Sequence, residues 1–513
     1  MVAAVLVAGC TLNAYTNTRL ANREEPPGKQ PGPAAPLASF EIHARPAKQQ
    51  RDVLVLLALS GGGSRAAYFS ARTMLALERV AAPAGTTPVN VLNEVDLISS
   101  VSGGSLAAAY YASSYDPSPG PIPRGRRAWD ERTVTDLMSR DYLKRWVANW
   151  LWPANVFRFW FTAFDRTDIM AQTFADNLFD STRTGIDLRM RDLNPARPNL
   201  ILNATIGSRS YDLKNPVRAK NFGTVFTFTR EDFAAKLNSE IADYELARAV
   251  MSSAAFPAAF NYTTLGDLYE PPGCSDQGQP CYVHVFDGGN SDNLGLVSLK
   301  RVLLANDAEA IRNHRRIVII FVDSFRRSPG ADPTEADPRS PGDYIVDRNF
   351  LDATDSLLQG NRDRTLSDFF GRTLATYTKS EECDRDNLYD RDHACVVGPS
   401  WKGPTTDGLA RELRAKMFFF HVSFAAVSDD AIRDKLNSIR TTFRFDDGET
   451  EAIRQGVANI FDEPTNRDAR ACVERLAQLI TAPAATPPIV EGNPWCGGAT
   501  VGEKEERQRL QKR

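Results

Sequence analysis

Histidine is scarce in this 513-residue chain, which holds five, at His43, His284, His314, His393 and His421. None stands in a recognisable catalytic context, so nothing in the pattern supplies the imidazole base that serine chemistry usually uses. His43 lies in the leader, His393 in a polar cysteine-containing stretch and His421 inside an apolar run. In "YVHVFD" His284 shares a strand face with Tyr282 and Phe286, whereas Val283, Val285 and Asp287 take the other, so it points away from Asp287. Charge of one sign is missing too. Lys and Arg number 61 against 64 Asp and Glu, a formal net charge of −3 that gives no ground for a nucleic-acid partner. No C-x-x-C pair occurs and only His393 lies near any cysteine, so no metal is expected. Beyond the opening residues no stretch reaches the roughly 18 uninterrupted apolar residues of a transmembrane helix. The triple glycine at Ser60-Gly61-Gly62-Gly63-Ser64-Arg65 has no Lys-Ser or Lys-Thr at P-loop spacing and does not match G-x-G-x-x-G, which argues against a nucleotide cradle. There is no internal repeat.

The start, "MVAAVLVAGCTLN", is an apolar run ending at Val7-Ala8-Gly9-Cys10. It resembles a bacterial lipoprotein signal with its cleavage box, lacking the usual basic residue before the run. The expectation is a Cys10-acylated protein of the cell envelope, on the periplasmic or outer-membrane side, with an incomplete signal over residues 1–10. Cys274, Cys281, Cys383, Cys395, Cys472 and Cys496 remain, an even number of near neighbours that suits an oxidising compartment. Each short loop could close locally as Cys274–Cys281, Cys383–Cys395 and Cys472–Cys496.

Residues 11–50, rich in proline around 24–38, are expected to form an extended spacer. Order is expected from Asp52, where "VLVLLALS" reads as a buried strand followed by the glycine run and the helix "AAYFSARTMLALERV". Further strands are expected at "NLILNATIG", "TVFTFT", "YVHVFD", "RIVIIFVD" and "MFFFHVSFAAV". Their alternation with helical stretches gives a layered α/β core with a mainly parallel sheet. Two insertions interrupt a catalytic domain over 51–326: one at 115–195 and a cysteine-containing one at 327–415. A strand and helices over 416–481 complete the domain, and 482–513 is a tail that ends in the mixed-charge run "GEKEERQRLQKR".

Acyl transfer needs a nucleophile, a base, and donors aimed at the oxygen that becomes negative. In "DLISSVSGGSLAAAYY", Ser102 stands where a strand turns into a small-residue helix, with Gly103 and Gly104 behind it and Ser100 at the position that G-x-S-x-G gives to glycine. A serine there can equally be a helix cap. The glycine run after a buried strand leaves backbone N–H groups unobstructed at a helix N-terminus, suited to an oxyanion. Asp287 opens "DGGNSDNLG", where Gly288 and Gly289 permit a tight turn and bring a carboxylate to the sheet edge. An aspartate that only stabilises its own turn is the other reading of a D-G-G.

Together G-G-G-S-R, S-V-S-G-G and D-G-G, in that order, resemble the patatin-like phospholipases and related bacterial acyl hydrolases. "ARAVMSSAAFPAAF" and "DNLG" resemble the segments that flank the family's aspartate strand. The resemblance covers roughly 52–323 and, more faintly, 417–461. It implies a three-layer α/β/α fold, Ser102 as nucleophile, Asp287 as its dyad partner, the Gly61-Gly62-Gly63 backbone as oxyanion hole, and Arg65 as the basic residue after the glycine run that meets substrate or anion. It also implies a serine acyl hydrolase acting on phospholipid or another acyl lipid at a membrane surface, without cofactor or obligate protein partner. An inactive lipid-binding or tethering protein, and an esterase or thioesterase acting on soluble substrates, are the rival readings.

In the first insertion, "WVANWLWPANVFRFWF" brings Trp146, Trp150, Trp152 and Trp160 together with Phe157, Phe159 and Phe161. Flanked by Lys144, Arg145 and Arg158, the segment is expected to be a lid-like membrane contact, the alternative being two short core helices joined at Pro153.

Overall fold

The computed structural model describes residues 37–43, 45, 48–80, 90–118, 120–123, 125–179, 187–208, 222–257, 259–268, 281–306, 313–326 and 416–481, with short pieces at 18–19, 358, 360–362, 365–366 and 495–497. Apart from a two-residue pair, Thr18–Arg19 with Ser239–Glu240, its strands are β1 (Val53–Leu59), β2 (Leu97–Val101), β3 (Asn199–Ile206), β4 (Val225–Thr227), β5 (Thr263–Asp267), β6 (Cys281–Asp287), β7 (Arg316–Asp323), β8 (Met417–Ser423) and β9 (Trp495–Gly497). They form one sheet in the order β9-β8-β7-β1-β2-β3-β6-β5, with β4 paired to β3. From β9 through β3 every neighbour is parallel, whereas β4 and β6 run antiparallel to β3, and β5 antiparallel to β6. The helices that bear on the site are α1 (Gly63–Leu77), α2 (Gly103–Ser113), α3 (Tyr142–Trp150), α4 (Pro153–Phe161), α5 (Arg166–Phe174), α6 (Leu246–Ser253), α7 (Leu296–Ala305), α8 (Glu449–Phe461) and α9 (Arg467–Thr481).

The β1 segment "VLVLLAL" is apolar at every position because a parallel strand inside three layers has no solvent face. Val53, Val55, Leu57 and Leu59 pack with Phe69 and Met74 of α1 and Leu106 and Tyr110 of α2. Leu54, Leu56 and Ala58 enter a second cluster with Leu296, Leu299, Val302 and Leu303 of α7. The architecture is therefore α/β/α with a mainly parallel sheet. β8 pairs with β7 over its whole length, from Met417 opposite Ile317 to Ser423 opposite Asp323, so the C-terminal part is built into the same sheet.

Several boundaries differ from the sequence reading. Within the spacer expected over 11–50, Ala38 and Phe40 are buried, Leu37 accepts the Leu200 N–H, and Lys48 forms a buried ion pair with Asp96. Scattered anchors of this kind leave no periodic signal. The sequence reading also passed over β5 and β9, which are the two edge strands of the sheet. Edge strands need no continuous apolar run, and β5, "TTLGD", is half polar. The expected tail thus contributes β9, and a Cys472–Cys496 disulfide staples it to α9. Cys10, Cys274, Cys383, Cys395, His393, the side chain of Cys281, nearly all of 327–415 and the charged terminal run lie outside the described residues.

Candidate active site

β1 and β2 lie side by side in register, Leu59 opposite Ser100, so the two turns that leave them meet. Their approach is too close for side chains. A Cβ on Gly103 would sit 2.0 Å from the Gly63 carbonyl oxygen, and one on Gly104 2.6 Å from that of Ser60. Ser102 itself is the strained point, a non-glycine residue at φ 48° and ψ −121°. Its side chain makes no cap to α2. Instead the Ser102 hydroxyl donates to Asp287 Oδ2 at 2.8 Å, both residues being buried, 7% and 4% exposed.

Asp287 reaches that position from an unexpected direction. Because β6 is antiparallel to β3, it descends onto the sheet from beyond its carboxyl edge and stops with Asp287 opposite Ala204. That is one residue past Asn203, the partner of Val101. The Gly289 N–H donates to Asp287 Oδ1 at 2.8 Å. Burial pushes the Asp287 carboxyl up to about 6, opposed by the bonds from Gly289 and Ser102. Nearby Asp292 caps α7 through the Val297 N–H at 2.7 Å and is also pushed up to about 6 by burial.

Behind the turn lies a chain of buried hydroxyls. Ser253, at the end of α6, accepts the Ser102 N–H at 3.0 Å and donates to the Asn203 carbonyl at 2.6 Å. Ser105 bridges Ser253, at 2.9 Å, and Ser100, at 3.1 Å. Ser100 in place of glycine is thus accommodated, its hydroxyl donating to the Ile201 carbonyl at 3.3 Å. The segment after Ser253 braces Asp287 as well: the Asp287 N–H goes to the Ala255 carbonyl, at 3.0 Å, and the Gly288 N–H to that of Ser253, at 3.1 Å. Ser102 and Asp287 are therefore held by one piece of chain. The sequence had marked this segment but singled out none of its residues.

The glycine run is held from two sides. Gly61 donates its N–H to the Asn293 carbonyl at 3.0 Å, and its own carbonyl accepts the Ser324 hydroxyl at 2.8 Å. Gly62 (φ 137°) and Gly63 (φ 62°) take backbone conformations that suit glycine, and neither N–H is hydrogen-bonded among the described residues. A strap from the C-terminal part crosses this turn. The Thr442 carbonyl accepts the Ser64 N–H at 2.7 Å, and Phe443 packs against Phe174 and Phe260.

The family model of the patatin-like phospholipases matches residues 57–300. The matched stretch, a little under half of the chain, takes in the glycine run, Ser102 and Asp287. No curated protein matched the chain. Among solved structures it is similar to human GIVD cytosolic phospholipase A2, 12% identical over 58% of this chain with TM-score 0.31, and it spans only 48% of that protein. It is also similar to VipD from Legionella pneumophila, 13% identical over 84% of this chain and 67% of that one, with TM-score 0.24. A structure of ExoU with SpcU from the type III secretion system of Pseudomonas aeruginosa gives 13% identity over 90% of this chain and 93% of the matched one, with TM-score 0.21.

Against the patatin-like pattern, two expectations change. Of the three glycines, Gly61 has its N–H engaged, leaving those of Gly62 and Gly63. Arg65 is buried, and its guanidinium donates to the Ile439 carbonyl and the Thr441 hydroxyl, which ties the strap to α1. Contact with the chain itself replaces the expected anion contact. The histidines go elsewhere: His284 bonds Thr264 at 2.9 Å and His421 bonds Asp323 at 3.1 Å. Among the described residues no histidine contacts Ser102.

The aromatic insertion divides into base and tip. Trp146 packs against the core and Phe260, donates its indole N–H to the Arg166 carbonyl at 3.0 Å, and meets Trp150, which in turn packs on Phe159. Trp152 and Trp160, 63% and 74% exposed, are at the surface.

Proposed function

We propose that this chain is a serine acyl hydrolase that cleaves fatty-acyl esters of phospholipids or related lipids. The observation that carries the reading is the 2.8 Å bond from the Ser102 hydroxyl to Asp287, made at a strained strand-to-helix turn beside a glycine run whose Gly62 and Gly63 N–H groups have no hydrogen bond among the described residues. The match to the family model of the patatin-like phospholipases supports the lipid substrate class.

The chemistry follows from these groups. As Ser102 Oγ attacks the ester carbonyl, its proton passes to Asp287, and the carbonyl oxygen becomes negative toward the Gly62 and Gly63 N–H groups. One such donor is worth about 3 kcal/mol in the transition state. Protonated Asp287 then gives its proton to the departing alcohol, leaving an acyl-Ser102 ester. Water enters, loses a proton to Asp287, displaces the acyl group as fatty acid and restores the hydroxyl. A carboxyl lifted to about 6 is a better match to this proton traffic than an exposed aspartate, while still ionised at neutral pH. The Val7-Ala8-Gly9-Cys10 start and the Cys472–Cys496 disulfide support export to the cell envelope with an acyl anchor.

Mass spectrometry of the products from phospholipid vesicles tests the reading. Ser102→Ala and Asp287→Asn should each lower turnover by about three orders of magnitude or more, with the double variant no worse than either, because the two act as one unit. Near-normal turnover by a folded Ser102→Ala protein would end it.

A further inference from the structure

Among the described residues, six of the nine large apolar side chains that are exposed lie at one place, the others being Phe222, Tyr262 and Tyr282. Val147, Leu151, Trp152, Phe157, Trp160 and Phe161 are each 43–74% exposed, and all lie on the α3–α4 hairpin. Phe157, Trp160 and Phe161, at i, i+3 and i+4, share one side of α4, and the Phe157 and Phe161 rings meet at a tilt, 4.7 Å between centroids. The hairpin is built to hold them out. Pro153 starts α4 directly after Trp152, and Asn155 donates to both the Asn149 carbonyl, at 2.9 Å, and Gln172 of α5, at 3.0 Å. Asn149 in turn donates to Thr173, at 3.0 Å, while Trp146 and Trp150 form the packed base.

From Tyr142 to Phe164 the chain carries Lys144, Arg145 and Arg158 and no acidic residue. Lys144 and Arg145 are exposed beside the base of the hairpin. Tryptophan and phenylalanine at a tip with cations behind them match the order of a bilayer surface, acyl chains first and anionic head groups above. Among the described residues no helix is long and apolar enough to cross a membrane, so such a tip would lie in the interface. The hairpin is also joined to the strap over the glycine run: the Leu143 N–H donates to the Phe443 carbonyl at 3.0 Å, and Trp146 meets Phe260 edge-to-face at 5.6 Å.

We propose that the tip of the α3–α4 hairpin inserts into the interface of an anionic lipid bilayer and docks the protein there. The occupant follows from the lipid acyl hydrolase reading, on which this inference rests, and from the charge pattern. The test measures binding, not turnover, so the two can fail separately. Full-length Ser102→Ala protein, with Cys10→Ser in every variant to exclude an acyl anchor, is titrated with phosphatidylcholine vesicles containing phosphatidylglycerol, and tryptophan emission and co-sedimentation are read. The parent should bind with a blue shift. Trp152→Ser with Trp160→Ser, and separately Leu151→Ser with Phe161→Ser, should keep the parent's circular dichroism and weaken binding at least about tenfold. Lys144→Glu with Arg145→Glu should remove the preference for phosphatidylglycerol at low salt. Unchanged binding in both tip variants overturns the proposal, as does unfolding of both, which would mean that the tip is packed. A parent that ignores vesicles but forms a dimer abolished by the tip substitutions overturns it in favour of a second copy. Vesicle binding as expected, with a Ser102-intact protein that hydrolyses no lipid, leaves the docking surface standing and removes the hydrolase reading.

Discussion

Ser102 is held in a backbone conformation that costs about 1–3 kcal/mol for a residue with a Cβ, and its hydroxyl meets a carboxylate whose burial disfavours ionisation. The Asp287 carboxyl stands at about 6 against an ordinary 3.8, so folding favours its protonated form. That contribution to stability is full below the unfolded value and is lost as pH rises through about 6, amounting to about 3 kcal/mol for a shift of this size. In the proposed mechanism the same ionisation creates the base. kcat/KM should therefore rise through pH of about 6 and level off above it, while Asp287→Asn should lose activity yet melt higher than the parent at pH 8, an advantage gone by a pH of about 4. A pH–rate profile and melting curves check both limbs; a flat profile down to pH of about 4.5 would remove Asp287 as the base. Both residues were legible in the sequence because glycines mark the local turns that carry them. Ser253, Asn203 and Asn293, which hold those turns in place, were not: each acts on a partner far along the chain, and a buried serine or asparagine has no local pattern.

Two strand–turn–helix elements pressed together make the site, and the press is tighter than any side chain permits. Gly103→Ala would set a Cβ 2.0 Å from the Gly63 carbonyl oxygen, backbone against backbone, so α1 and α2 would have to separate. Hydrolysis should disappear and the melting temperature should fall, whereas Gly120→Ala, which meets nothing within 4 Å, should change neither. A Gly103→Ala enzyme of ordinary activity would show that the glycine turn and Ser102 do not work at this spacing. At this scale the sequence conveyed the parallel strands, because strands covered on both faces are apolar throughout. It did not convey that β6 runs antiparallel, since direction leaves no mark on composition. The aromatic helices show the same limit. One run of tryptophans serves two purposes, with Trp146 and Trp150 packed and Trp152 and Trp160 exposed, and only the packing separates them.

For the whole molecule, the family match ends at residue 300, yet β7, β8 and β9 extend the same sheet beyond it and the strap returns to cover the glycine run. The Cys472–Cys496 disulfide closes a loop of 24 residues around β9 and α9, for which the expected stabilisation is about 2–4 kcal/mol. Cys472→Ser should lower the denaturant midpoint accordingly; no shift would mean that the C-terminal staple holds nothing. The central claim is that Ser102 is the residue that carries the acyl group. Intact-protein mass and peptide mapping after a fluorophosphonate lipid analogue test it most directly. The account predicts one adduct per chain on Ser102, no adduct in Ser102→Ala and greatly slowed labelling in Asp287→Asn; an adduct on another residue, or equal labelling of the Ser102→Ala protein, would contradict it.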